Sequence, residues 1–245
     1  MSIKTLFNHV QFNKQFHSYS INGQKLKSVS KLVKSVTPEF DSEYWSKKKA
    51  KERGISQAEI LAEWDAKGKR TIALGNEVHA YIEKILSGDE SDQDNPFLAL
   101  NQKPIQCQVF DDFWEAATNM MTPIAVEYVV AHQKYNYAGT ADALMETAEG
   151  EINLWDWKTG SKFNTANKFA TLHPPFDDLD DCELNKYSLQ ISLYRLAIEH
   201  ALGREIGDSY IVYLAESGYT IHKALDLRER AERWLESMDL PPVIL

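Results

Sequence analysis

Apolar and polar residues alternate with a period of two in five stretches of the chain's second half: IAVEYVVAH, YAGTADALME, EINLWDWKT, SYIVYLAE and YTIHKAL. That period predicts strands with one face against a core. The first half reads differently. In HSYSINGQKLKSVS, the Asn22-Gly23 pair predicts a hairpin closed by a tight type I′ turn. Ser30 is the candidate cap of a short helix that ends before Pro38. Residues 41–67 predict two charged helices broken near Gly54, with Ser56 as the second cap and Glu59 completing a capping box. In LGNEVHAYIEKILSG, Val78, Ile82, Ile85 and Leu86 form the apolar stripe of a helix that Gly88 stops. A polar loop over 89–108 and a helix near 109–121 lead into the strands. An irregular stretch, 161–183, and the helix NKYSLQISLYRLAIEHALG separate the third strand from the fourth, and a charged helix follows near 228–238. This order predicts an α/β (α+β) fold: a central mixed sheet flanked by helices.

The second and third strands carry charge where a strand should be buried. AEGE supplies the turn between them, so 138–147 and 151–159 pair as a hairpin. A three-residue loop at Ala148–Gly150, with Gly150 at positive φ, sets the register. Asp142 then opposes Asp156, and Leu144 opposes Leu154. Opposed Cβ atoms lie roughly 4.5–5.5 Å apart, and like charges there repel. Two ionised carboxylates that close need a cation between them, or one must take up a proton. Lys158 lies on the same face as Asp156 and could neutralise it as a buried salt bridge, which leaves the second aspartate uncompensated. A divalent metal is the favoured reading, and hard carboxylate ligands suit Mg²⁺ or Mn²⁺ rather than zinc.

Other residues fit the same site. His79 and Glu83 are four apart and share a helix face that can border a cleft. Glu127 interrupts the first strand, as a further carboxylate or as an edge-strand charge. Lys186, Gln190 and Tyr194 share one face of the long helix, which by spacing alone reads as the polar edge of a buried helix. Trp45, Trp64, Tyr187 and Tyr194 can stack on bases or belong to a core.

Charge changes the picture in one respect. The net charge is −9, yet residues 1–70 carry 14 basic against 7 acidic residues, and the remainder 13 against 29. Such asymmetry points to an anion-binding end, or to a solvated basic helix pair. The two cysteines, Cys107 and Cys182, have no CxxC spacing, which excludes a disulfide scaffold, a zinc ribbon or an iron–sulfur cluster supplied by this chain alone. A reducing compartment is expected. No apolar run is long enough for a bilayer, so no membrane association is expected. The start has no secretory h-region and no arginine before Arg53, which favours the cytoplasm over a mitochondrial address.

GNEVHAYIE, GTADAL, DWKTG and QISLYRLAIE, in that order over residues 75–199, resemble the PD-(D/E)xK nuclease superfamily, in particular its RecB-like exonuclease branch. The resemblance implies a restriction-endonuclease-like core over 71–245, with residues 1–70 a hairpin and basic helical extension packed on it. It implies catalytic roles for Asp142, Asp156 and Lys158, and metal ligation by His79, Asp142 and Asp156, with Glu127 and Glu83 as further candidates. Lys186, Gln190 and Tyr194 become substrate-binding candidates. The cofactor implied is Mg²⁺ or Mn²⁺, without an iron–sulfur cluster. The substrate implied is DNA, as single strands or duplex ends, in recombination, repair or phage DNA processing in a bacterial or phage-infected cytoplasm. No helicase motif accompanies the nuclease, so a separate helicase or recombination protein is the expected partner. The superfamily's proline is absent before Asp142, where GTAD stands. The alternatives are a structure-specific or restriction-type endonuclease, and a non-catalytic DNA-binding module on a nuclease scaffold.

Overall fold

The computed structural model describes residues 3–88, 103–238 and 243. The five alternating stretches are strands β4 (Met121–His132), β5 (Tyr137–Thr147), β6 (Ile152–Thr159), β7 (Ser209–Ala215) and β8 (Gly218–Lys223). Three short strands precede them, β1 (Gln11–Asn13), β2 (Ser18–Ile21) and β3 (Gln24–Ser28), and all join one mixed sheet. Asn22 and Gly23, at φ 50° and 80°, make the tight turn between β2 and β3. The helices are α1 (Val29–Ser35), α2 (Ser42–Arg53), α3 (Gln57–Ser87), α4 (Ile105–Ala117), α5 (Glu183–Leu202) and α6 (Arg228–Ser237). Among these described residues no helix is long and apolar enough to cross a membrane.

The sheet separates two cores. Leu144, Leu154 and Ile211 pack on one face with residues of α1, α5 and α6, among them Leu32, Leu189 and Trp234. Met145, Trp155, Trp157 and Val212 pack on the other with Val78 and Ile82 of α3 and Phe110 and Phe113 of α4. The period-two alternation in β5 and β6 therefore serves two apolar layers, which is why these strands are so thoroughly buried.

The pairing of β5 creates the opening in which the site lies. Along one edge β5 pairs antiparallel with β4. Its other edge is divided: β3 pairs in parallel with Tyr137 and Ala138, and β6 pairs antiparallel with Ala143 to Glu146. Gly139, Thr140, Ala141 and Asp142 have no strand on that edge, so the sheet forks there.

Several sequence expectations need correction. Ser28, not Ser30, caps α1, its Oγ accepting from the Lys31 N–H at 3.3 Å. The helix starts directly where β3 ends, so the last strand residue takes the capping role. The second charged helix does not end near 67. Its capping box at Ser56 and Glu59 starts one helix that runs to Ser87 through Gly68 and Gly75. An internal glycine costs only about 1 kcal/mol, which so long a helix absorbs. The 70/71 division falls inside α3. Ile85 is exposed while Val78, Ile82 and Leu86 are buried, because the buried face of α3 is narrower than the apolar pattern. The helix expected near 109–121 starts at Ile105, and most of the expected 89–108 loop lies outside the described residues.

Candidate active site

The hairpin has the expected register. Leu144 faces Leu154 and Ala143 faces Trp155, with Gly150 at φ 81° in the turn. The ladder stops one step before Asp142 and Asp156 would meet. On the other side the β4–β5 ladder passes from Val126–Ala143 to Tyr128–Ala141, over the position where Glu127 would meet Asp142. Glu127 has φ 45°, a left-handed conformation that is costly for a residue with a side chain. Glu127, Asp142 and Asp156 thus form a row of carboxylates across three strands, and regular pairing lapses where the row crosses β5. Like charges directly opposed destabilise a ladder, which accounts for the lapse.

The backbone of Trp157 fills part of the gap. Its N–H donates to Asp142 Oδ2 at 2.8 Å, and its carbonyl lies 3.0 Å from His79 Nε2. A carbonyl can only accept, so Nε2 carries the proton and the Nδ1 of a neutral ring offers its lone pair. That Nδ1 lies 3.5 Å from Glu127 Oε1 and 3.6 Å from Asp142 Oδ2. His79, Glu127 and Asp142 offer one ligand atom each, all within 4.8 Å of one another. Burial lowers the His79 pKa, but the Asp142 and Glu127 carboxylates outweigh it and raise it to about 9.

Asp156 and Lys158 form the second half of the site. Asp156 is fully buried, and Lys158 Nζ lies 2.6 Å from its Oδ2 as an ion pair. That oxygen has no aligned hydrogen bond, and Oδ1 accepts a long one from Gln190 Nε2 at 3.4 Å. Burial raises the Asp156 pKa to about 6 despite the lysine. Burial pulls the Lys158 pKa down, but Asp156 and Asp142 more than offset this, so its ammonium stays charged at neutral pH. The ammonium also lies 4.7 Å from the centre of the Tyr187 ring, a cation–π contact.

Helix α5 closes the site from the other face. Gln190 Nε2 reaches the Tyr194 hydroxyl at 3.2 Å as well as Asp156. Tyr194 itself is buried, with its ring over Gly139: a Cβ there would come 2.5 Å from Tyr194 Cε1 and 3.3 Å from Val29. The glycine of GTAD therefore admits the tyrosine of α5. Gly139→Ala is expected to displace that ring and destabilise the fold by about 1–3 kcal/mol, read as a lowered thermal midpoint. Lys186, one turn before Gln190, pairs with Asp181 at 2.9 Å and lines a cleft of about 270 Å³ between α1 and α5. Glu83 is half-buried and is not part of the His79 cluster. One contributor, the Trp157 backbone, leaves no sequence signal, whereas Tyr187, expected either to stack on bases or to belong to a core, instead lies against the Lys158 ammonium.

A family model of the PD-(D/E)XK nuclease superfamily matches residues 48–239, which include every site residue above. The chain belongs to the PD-(D/E)XK nuclease superfamily. It is accordingly a metal-dependent nuclease, and its mixed sheet flanked by helices is a restriction-endonuclease-like core. No curated protein matches the chain. Among solved structures that do match, one titled "Crystal structure of SSO0001" is 13% identical, with 69% of this chain and 76% of that chain aligned and a TM-score of 0.32. At that score the likeness adds nothing to the family assignment.

The residues present fit the divalent ion that the family implies. One imidazole nitrogen and two carboxylates converge, and beside them lies the buried carboxylate of Asp156, whose Oδ2 has the Lys158 ammonium as its sole partner among the described residues. Hard carboxylate oxygens with one borderline imidazole nitrogen make a donor set that a divalent metal ion accepts.

Proposed function

We propose that this nuclease is a Mg²⁺- or Mn²⁺-dependent DNA exonuclease of the RecB-like type, acting at DNA ends or on single strands in recombination, repair or phage DNA processing. The observation that carries the reading is the His79–Glu127–Asp142 donor set beside the Asp156–Lys158 pair, at a fork in the sheet that opens toward the α1–α5 cleft.

His79, Glu127, Asp142 and Asp156 would hold the ion, which supplies an activated water and charge for the scissile phosphate. Around it the chain's own groups have distinct tasks. Trp157 fixes Asp142 and the tautomer of His79 through its backbone. Gln190 braces Asp156 from α5. Lys158, nearly buried and charged, places positive charge where the phosphoryl group becomes more anionic in the transition state. Its closeness to Asp156 keeps that charge from being lost to burial. The basic residues within 25–70 would grip the phosphate backbone, so binding is expected to weaken steeply as salt rises.

Digestion of 5′- and 3′-labelled linear DNA, single- and double-stranded, beside a covalently closed circle tests the reading. The expected result is Mg²⁺- or Mn²⁺-dependent loss of label from linear DNA with the circle intact. Opening of the circle would instead establish an endonuclease.

A further inference from the structure

Near the cleft between α1 and α5, exposed aromatic and basic side chains form a rim at the C-terminal end of α1. Phe169 is 98% exposed, the barest large apolar side chain among the described residues. Its backbone is nevertheless held firmly. The Phe169 N–H donates to Asn167 Oδ1, the Asn167 N–H to Asp180 Oδ2, and Asn167 Nδ2 to the Asp181 carbonyl. Asp181 in turn pairs with Lys186 of the cleft, and His173, four residues on, donates its N–H to the Val36 carbonyl at 2.7 Å. At the same end of α1, Thr37 is one of the residues lining the cleft, and Phe40, 65% exposed, follows three residues later. Phe40 packs against the half-buried Trp64 at 5.6 Å between ring centres. Both phenylalanines are thus tethered within about 14 Å of extended chain of the same α1 terminus. Lys34 lines the cleft, Lys168 adjoins Phe169, and neither has a carboxylate partner among the described residues. Of the nearby acids, Asp181 is paired with Lys186 and Asp178 with Arg230, while Glu183, which also lines the cleft, keeps its charge and accepts from the Asn164 N–H.

We infer that this rim, Phe40 with Trp64 and Phe169, all reached from the C-terminal end of α1, stacks the bases of an unpaired nucleic-acid strand while Lys34 and Lys168 follow its phosphates into the cleft. Exposed aromatic faces between unpaired lysines suit single strands, whose bases present their π-faces, and not duplexes, whose bases are already stacked. The rim runs directly into the cleft that Gln190 and Tyr187 share with the Asp156–Lys158 pair. The inference rests on the nuclease reading and names its substrate class: a strand that enters unpaired.

The test is fluorescence anisotropy with labelled dT20 and with a blunt 20-base-pair duplex, in Ca²⁺ to limit cleavage. Phe40→Ala and Phe169→Ala are each expected to weaken dT20 binding about 5-fold or more, with less than a 2-fold change for the duplex and restoration in Phe169→Trp. Wild-type dT20 affinity in both alanine variants, or equal losses on the two ligands, would overturn the inference. So would a dimer of the wild-type chain that the alanine variants dissociate without changing dT20 affinity, since the rim would then serve a second copy. Wild-type protein that degrades no DNA with Mg²⁺ or Mn²⁺ contradicts the nuclease reading itself, whereas active protein with an indifferent rim contradicts only this inference.

Discussion

Lys158→Ala and Asp156→Asn are each expected to reduce metal-dependent DNA degradation by about 100-fold or more, the loss that follows removal of one preorganised electrostatic contact. The two residues act as a unit. Lys158 is held by Asp156 at 2.6 Å and by the Tyr187 ring, with only 16% of its side chain exposed. Without the lysine, Asp156 is a buried carboxyl with one weak hydrogen bond, and it takes up a proton in the absence of metal. Without the aspartate charge, Lys158 loses its nearest counter-ion and the metal loses a ligand. Circular dichroism should show both variants folded, because the sheet on either side is anchored by two apolar cores. Either variant retaining more than half of wild-type activity, in a preparation free of contaminating nuclease, would contradict these assignments.

The second large effect is a pH dependence that metal reverses. His79 has its pKa raised from 6.5 to about 9 in the folded protein. Its charged form thus contributes stability that is fully present below pH 6.5 and is lost as pH rises through about 9. At roughly 1.4 kcal/mol per pKa unit the contribution is on the order of 3 kcal/mol. Asp156 behaves in the same sense in a lower window, favouring folding below pH 3.8 and losing that effect as pH passes about 6. In the metal-free protein, protons take the place of the cation. Thermal midpoints in a chelator should therefore fall between pH 6.5 and 9, and His79→Gln should flatten that fall. Adding Mn²⁺ should raise the midpoint most at the alkaline end, where the ion no longer competes with a proton. A stabilisation by Mn²⁺ that is independent of pH over that range would rule out His79 as a ligand.

Much of the site is legible in the amino-acid sequence. The NG and AEGE turns define two hairpins, and with them the relation of Asp142 to Asp156, because turn length and apolar pairing together leave one register. The helical period sets His79 on the face of α3 that meets the site, and Gln190 and Tyr194 on one face of α5. What escapes such reading is tertiary. The left-handed backbone at Glu127 and the lapse of pairing around Asp142 arise from charges meeting across strands, which no single stretch of sequence records. The Trp157 contacts are made by backbone atoms, so the identity of the side chain does not announce them. The fork between β3 and β6 depends on residues far apart along the chain. Tyr194 illustrates the remaining ambiguity: its spacing places it on the Gln190 face, but only Gly139 across from it shows a buried ring with its hydroxyl toward the site.

The central claim is that the row of carboxylates across β4, β5 and β6 holds, with His79, the ion that cleavage requires. Isothermal calorimetry of Mn²⁺ binding to wild type and Asp142→Asn tests it most directly. Binding by the wild type that falls at least about 10-fold in the variant, with release of a proton near neutral pH, is the expected result. Equal Mn²⁺ affinity in the two proteins would contradict it.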